Sequence, residues 1–193
     1  MIRRIGVIVV GTALLAAAMW LKQIEPQAHS HDTQPLRNSG RIGQSISNSA
    51  FSLRVDGVEL ARSLKASGAS AGRANVTTDG VFVIVHIQAK AAQKPYQMDH
   101  VRLESGEYTF TDNGRSYSLS TADGTYEPMI WRKAVAGFEI PRNRLAGARL
   151  VVGQGGLLTQ LSAETAVDLL ITPGKAADMI AHAVDGYDPG STG

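Results

Sequence analysis

The chain of 193 residues contains no cysteine. Disulfides and thiolate chemistry are therefore excluded, and any fold must rest on its packed core, which a domain of about 130 residues can supply. Charge of one sign is also missing: 19 Lys and Arg stand against 17 Asp and Glu, and Arg3 and Arg4 account for the whole excess. That balance leaves no basic stripe of the kind that binds nucleic acid. No internal repeat stands out, and no long parallel βαβ pattern occurs.

Catalytic motifs are absent too. There is no G-x-S-x-G elbow around any serine. Gly153-Gln154-Gly155-Gly156 lacks the Lys-Ser/Thr of a phosphate loop and reads as a connection between strands. His86 and His100 could in principle meet Asp99 or Asp112, but no spacing brings them together, and each reads as a polar residue on a strand or loop. His29 and His31 lie in a polar stretch, and His182 is remote from the other histidines, so no metal-ligand spacing emerges. Glu104, Glu107, Glu127 and Glu139 read as solvated strand or loop residues. The expectation is a non-enzyme with no catalytic, cofactor or metal site.

One long apolar run is present. Ile5–Leu21 carries no charge over 17 residues and follows the basic Met1–Arg4. As a helix it would be about 25 Å long, close to the hydrocarbon thickness of about 30 Å. Arg3 and Arg4 should remain cytoplasmic, with Trp20 and Lys22 at the opposite interface. The expectation is a signal anchor over residues 1–21, in contact with membrane lipid through residues 5–21. The alternative is a signal peptide cut after Ala16-Ala17-Ala18, giving a secreted protein, but Met19-Trp20-Leu21 carries the apolar run past that point. Residues 22–40, with Pro26 and Pro35, read as a polar linker.

Beyond it, strand signals dominate. The strongest is Gly80–Ala91, where Val81-Phe82-Val83-Ile84-Val85 forms a continuous β-branched and aromatic run before alternation sets in at His86. It reads as a central strand buried on both faces. Ile46, Phe51, Leu53, Val55 and Val58 suggest a bent first strand, and Ala61–Thr78 a loop or irregular hairpin. Met98–Leu103 is a weak strand. Tyr108–Phe110 and Tyr117–Leu119 flank Asp112-Asn113-Gly114-Arg115, whose Asn-Gly suits a tight hairpin. Ser120–Glu127 reads as a loop, Ala134–Ile140 as a strand stopped by Pro141, and Arg149–Val152 and Ala166–Ile171 as the last strands. Lys175–Val184 could form a short helix in a C-terminal tail over residues 173–193. About eight short strands at this spacing point to an antiparallel β-sandwich over residues 41–172.

In order, Gly43, Phe51-Ser52-Leu53-Arg54-Val55, Gly80-Val81-Phe82-Val83-Ile84-Val85, the stretch from Tyr108 through Asp112 and Gly114 to Tyr117, Gly137-Phe138-Glu139-Ile140-Pro141, Leu150-Val151-Val152 and Val167-Asp168-Leu169 form a series. The series resembles the immunoglobulin-like extracellular domain family of unknown function found in Gram-positive membrane proteins and lipoproteins. The resemblance covers about residues 41–172 and implies an Ig-like sandwich on a membrane-attached, non-enzymatic ectodomain. It brings no catalytic residues. Lys90–Tyr96 departs from it in lacking an Asn-rich turn, and a lipobox is ruled out by the missing cysteine.

The functional expectation is thus an extracytoplasmic, non-catalytic binding or accessory module of the cell envelope. Its partner would be another envelope protein. The alternatives are an extracytoplasmic hydrolase and a structural subunit of a larger membrane complex. Tyr126, Met129 and Trp131 are the candidate partner surface. Trp131 reads first as a residue filling the space between sheets, and second as an exposed contact.

Overall fold

The computed structural model describes residues 36–65, 75–111, 120–153 and 162–188. They fall in Pro35–Gly193, the second of two units into which the chain divides. The apolar run Ile5–Leu21, the linker up to residue 35, the Asp112–Arg115 turn with Tyr117–Leu119, and Gln154-Gly155-Gly156 lie outside the described residues. Among those described, no helix is long and apolar enough to cross a membrane.

The described residues form a β-sandwich of eleven strands and one α-helix, with a 3-10 turn at Arg142–Arg144. In chain order they are β1 (Leu36–Arg41), β2 (Ser45–Ser47), β3 (Phe51–Leu64), β4 (Val76–Ala91), β5 (Tyr96–Met98), β6 (His100–Ser105), β7 (Tyr108–Thr111), β8 (Gly124–Tyr126), β9 (Arg132–Ile140), β10 (Arg149–Gly153), β11 (Ala163–Asp168) and α1 (Pro173–Ala181). A five-stranded sheet runs β1-β11-β10-β6-β7 and a four-stranded sheet runs β2-β3-β4-β9, while β5 and β8 form a separate pair. Pairings between these strands are antiparallel except β1 with β11, which run parallel over six register pairs.

The core lies between the two larger sheets. Phe51, Leu53 and Val55 of β3, Val81, Val83 and Val85 of β4, and Phe138 and Ile140 of β9 meet Leu103, Leu150, Val152 and Val167 from the other sheet. The alternation of β3 changes phase between Val55 and Leu60, both of which face this core. A β-bulge at Asp56 absorbs the extra residue, so Val55 pairs with Ile87 and Gly57 with His86. The single bent strand expected through Ile46, Phe51, Leu53, Val55 and Val58 is instead two strands, β2 and β3, paired antiparallel with Ile46 opposite Leu53, and the bulge bends the second of them.

The central strand is buried on both faces, as its apolar run predicts. Phe82 and Ile84 point away from the main core into a second cluster with Ala61, Leu64 and Val135. Tyr187 packs against that cluster, and the chain around it joins β3 through bridges from Val184 to Ala61 and from Tyr187 to Leu64. Gly80 opens the buried run because β9 passes too close for a side chain: a Cβ there would stand 2.2 Å from the Ile140 carbonyl oxygen.

Several expected boundaries change. Leu36–Arg41, read as the end of the linker, is a strand paired with β11, so the sandwich begins before residue 41. Residues 173–188, read as a tail, include α1 and the segment that covers the second cluster. Thr172-Pro173, read only as a strand stop, also starts the helix: the Thr172 hydroxyl accepts from the Lys175 N–H and Pro173 sits in the first turn. The last strand spans Ala163–Asp168 rather than Ala166–Ile171. The Asp168 carboxylate accepts from the Leu170 N–H and Leu170 takes φ +51°, which turns the chain out of the sheet while Leu169 and Ile171 stay buried. Met98–Leu103 is two strands in different sheets, divided at Asp99. Part of the expected Ala61–Thr78 loop belongs to β3 and β4, and part of the Ser120–Glu127 loop is β8.

Because Ile84 and Val83 are fully buried on opposite faces, Ile84→Ala should lower the free energy of unfolding by about 2–5 kcal/mol in urea titration, with Val83→Ala somewhat milder. Val83→Asp should yield no cooperative melt, since a charge at that position has no partner.

Candidate functional site

One end of the sandwich is built around Tyr126. β8 holds it in register with Tyr96 of β5, whose ring packs against Phe51 at a centroid distance of 4.8 Å. Tyr126 is fully buried, and its hydroxyl donates to the Ala122 carbonyl at 2.8 Å. Burial pushes this phenol up to about 12, with Asp123 adding to the shift and Arg132 opposing it. The Arg132 guanidinium lies 5.0 Å from the Tyr126 ring centre and donates to the Thr121 and Thr125 carbonyls. Tyr126 is therefore not part of an exposed partner surface. Its ring closes the core, and sequence position beside two other large apolar residues gave no sign of this.

Immediately after it the chain turns outward. The Glu127 carbonyl accepts from the Ala91 N–H, and Pro128 bridges to Ala91, which pins the base of the turn to the end of β4. Met129 then takes φ +63°, one of two non-glycine residues at positive φ among those described. A residue with a Cβ reaches this region at a steric cost. Exposure falls along the turn, from 86% at Met129 through 64% at Ile130 to 40% at Trp131. Trp131 is thus not between the sheets. It lies just ahead of β9, past the edge of the core, where the Lys90 ammonium lies 5.0 Å from its ring centre. Met129, Ile130 and Trp131 form an apolar tip, and Ile130 is the member that the sequence reading passed over.

The outer face of the five-stranded sheet carries a charge network that the sequence reading missed. Arg37 donates through Nε to Glu164 at 2.8 Å and through both terminal nitrogens to Glu104 at 3.0 Å. Arg102 bonds Glu104 at 3.1 Å and pairs with the buried Glu164. Gly153 of β10 leaves room beside Glu164, whose Cγ would lie 3.5 Å from a Cβ there. Burial alone would raise the Glu104 carboxyl, but the hydrogen bonds and charge of Arg37, joined by Arg102, hold it below the ordinary carboxylate range. This network joins β1, β6 and β11 and satisfies its own members, so its role is structural. Arg102 and Glu104, two apart on one strand, were its only local trace.

Two open polar grooves accompany these features. One, of about 1050 Å³, is lined by Thr78, Asp79, Glu139 and Arg142, with the Thr78 hydroxyl donating to Glu139 at 2.7 Å. The other, of about 520 Å³, lies among Arg37, Arg41, Arg149 and Asp168. No histidine lines either groove. His86, on the outer face of β4, has Nε2 3.3 Å from a Glu59 oxygen, His100 belongs to the other sheet, and His182 follows α1. The structure does not bring these histidines together. Among the described residues, no group of three His, Asp or Glu could hold a metal ion.

No family model matches the chain, and no curated protein matches it. Among solved structures, it is similar to an uncharacterized beta-sandwich protein from Clostridium difficile, with 8% identity and a TM-score of 0.39 over 70% of this chain and 95% of that one. It is also similar to the yjhA protein from Bacillus subtilis, with 12% identity and a TM-score of 0.45 over 66% of this chain and 99% of that one.

Two measurements check the assignments within the chain. Tyr126→Phe should cost about 1 kcal/mol for the lost hydrogen bond and Tyr126→Ala about 3–5 kcal/mol, whereas Met129→Ser should stay within about 0.5 kcal/mol of the parent. For the network, Glu104 has a lowered folded pKa, so its contribution is fully present above the unfolded value of about 4.3 and is lost as pH falls through the folded value. In acid titration of stability, Glu104→Gln should flatten the slope below that unfolded value.

Proposed function

We propose that the protein is a non-catalytic binding module of the cell envelope. An Ig-like sandwich is carried outward on an N-terminal anchor and makes contact through the tip at Met129, Ile130 and Trp131. The observation that supports this reading is the tip itself: three consecutive large apolar side chains stand exposed on a turn whose first member is a strained non-glycine residue. Apolar side chains held in water at a steric cost are a liability unless something covers them. Other exposed large apolar residues, such as Tyr108, Leu170 and Val184, are isolated in the sequence.

The anchor rests on the uncharged run Ile5–Leu21 behind Arg3 and Arg4. Intact-mass measurement should find Met1–Leu21 retained, and the protein should stay with the membrane fraction after a high-salt wash. A mature chain beginning at Met19 would show a secreted protein instead.

The contact is tested separately, by photo-cross-linking from position 130 of the full chain in intact envelopes. Adducts should form there and fall by about tenfold or more when Met129→Ser and Trp131→Ala are added, since truncating an aromatic anchor costs about 2 kcal/mol or more of binding. Each variant's thermal melt should match the parent's. Unchanged adducts in a folded variant would remove this surface from consideration.

A further inference from the structure

We propose that the partner of the tip is an anionic lipid bilayer, into whose interface Met129 and Ile130 insert. This rests on the reading of the tip as the contact surface and gives that contact its chemical class.

Three observations point to lipid. The first is the order of side chains along the turn. The two most exposed, Met129 and Ile130, are purely apolar and stand at the apex, and Trp131 lies at the base. Apolar residues beyond an indole match the depth profile of a bilayer, where Trp prefers the headgroup boundary and aliphatic chains lie deeper.

The second is the charge around the base. Lys90 stacks on Trp131. Lys133 of β9 stands opposite Gln88 and so on the same sheet face as Lys90, whereas the Arg132 guanidinium turns to the Thr121 and Thr125 carbonyls. Lys94 lies in the turn between β4 and β5. One carboxylate, Glu127, adjoins the tip in the chain, and Asp56 accepts from Gln88, opposite Lys133, at 2.7 Å, while Asp99 and Asp123 fall at the far end of the β5–β8 pair. Lysines behind an apolar apex complement lipid phosphates. The arrangement fits a protein partner less well. A standard protein interface takes about 800 Å² and about 20–30 residues from each side, far more than three side chains flanked by charge.

The third is where the domain begins. Leu36 stands in register with Ala163, whose carbonyl accepts from the Tyr96 hydroxyl at 3.5 Å, and Tyr96 pairs with Tyr126, three residues before Met129. The chain therefore enters the sandwich at the end that carries the tip. If the preceding residues are anchored, that end is the one tethered closest to the bilayer.

The chain has two tryptophans, so Trp20→Phe leaves Trp131 as the single reporter. The full chain with that change is reconstituted into vesicles of phosphatidylcholine alone or phosphatidylcholine mixed with phosphatidylglycerol, with and without brominated acyl chains. In the mixed vesicles, Trp131 emission should shift to the blue and be quenched by the brominated chains. Quenching should fall by about tenfold in Met129→Ser/Ile130→Ser, and also on raising salt to about 1 M, where the Debye length is about 3 Å. Lys90→Glu/Lys133→Glu should abolish the response, and circular dichroism should show every variant folded. Unquenched Trp131 in mixed vesicles overturns the proposal, and equal quenching in phosphatidylcholine alone overturns its anionic character. The cross-link from position 130 separates this failure from that of the broader reading. A protein adduct without quenching keeps the tip as a contact and rejects lipid, whereas neither adduct nor quenching rejects both.

Discussion

The structure depends on a stretch of strand, Val81–Val85, that has no polar face. Val81 through Val85 are buried without exception, odd positions in the main core and even positions in a second cluster. A strand of this kind cannot sit at the surface of a two-layer sandwich unless a further layer covers it. The chain supplies that layer from both directions. The far part of β3 brings Ala61 and Leu64, and the segment after α1 brings Tyr187. The length of the domain follows from this requirement, because residues 184–187 complete the burial that Phe82 and Ile84 demand.

The same economy shapes the end that carries the tip. β5 and β8 are three residues each and belong to neither large sheet. Their pairing sets Tyr126 beside Tyr96, whose ring packs on Phe51, and with the Glu127 and Pro128 contacts to Ala91 it fixes both the inward tyrosine and the outward turn. A rigid base of this kind lets the turn present apolar side chains without collapsing onto them. On the five-stranded sheet, the Arg37–Glu104–Arg102–Glu164 network adds ion pairs to the backbone ladder that holds β1 beside β11.

Much of the architecture was legible in the sequence because burial imposes periodicity. The β4 run, the alternation of Phe51, Leu53 and Val55, and the Pro141 stop all announced their elements. What escaped was fixed by partners distant in the chain. β1 reads as LRNSGR, a linker by composition, and is a strand because β11 lies beside it. β8 is too short to carry a period. Trp131 and Tyr126 exchanged their expected places, since a residue's side of the core at a strand boundary depends on where the chain turns, and Met129 turns it through a backbone angle that composition does not disclose.

The parallel pairing of β1 with β11 has a mechanical consequence. Force drawn through the chain ahead of residue 36 along the strand axis acts on β1 in shear. All six register pairs then share the load at once, instead of parting one after another as at a peeled hairpin end. The bonds from Arg37 to Glu164 and Glu104 lie near the point where the tension enters. Rupture would need those ion pairs and the ladder to fail together, so the rate of forced unfolding would be set by one concerted barrier. Were the chain ahead of residue 36 fixed to an anchor, β1 would be the strand that bears its tension.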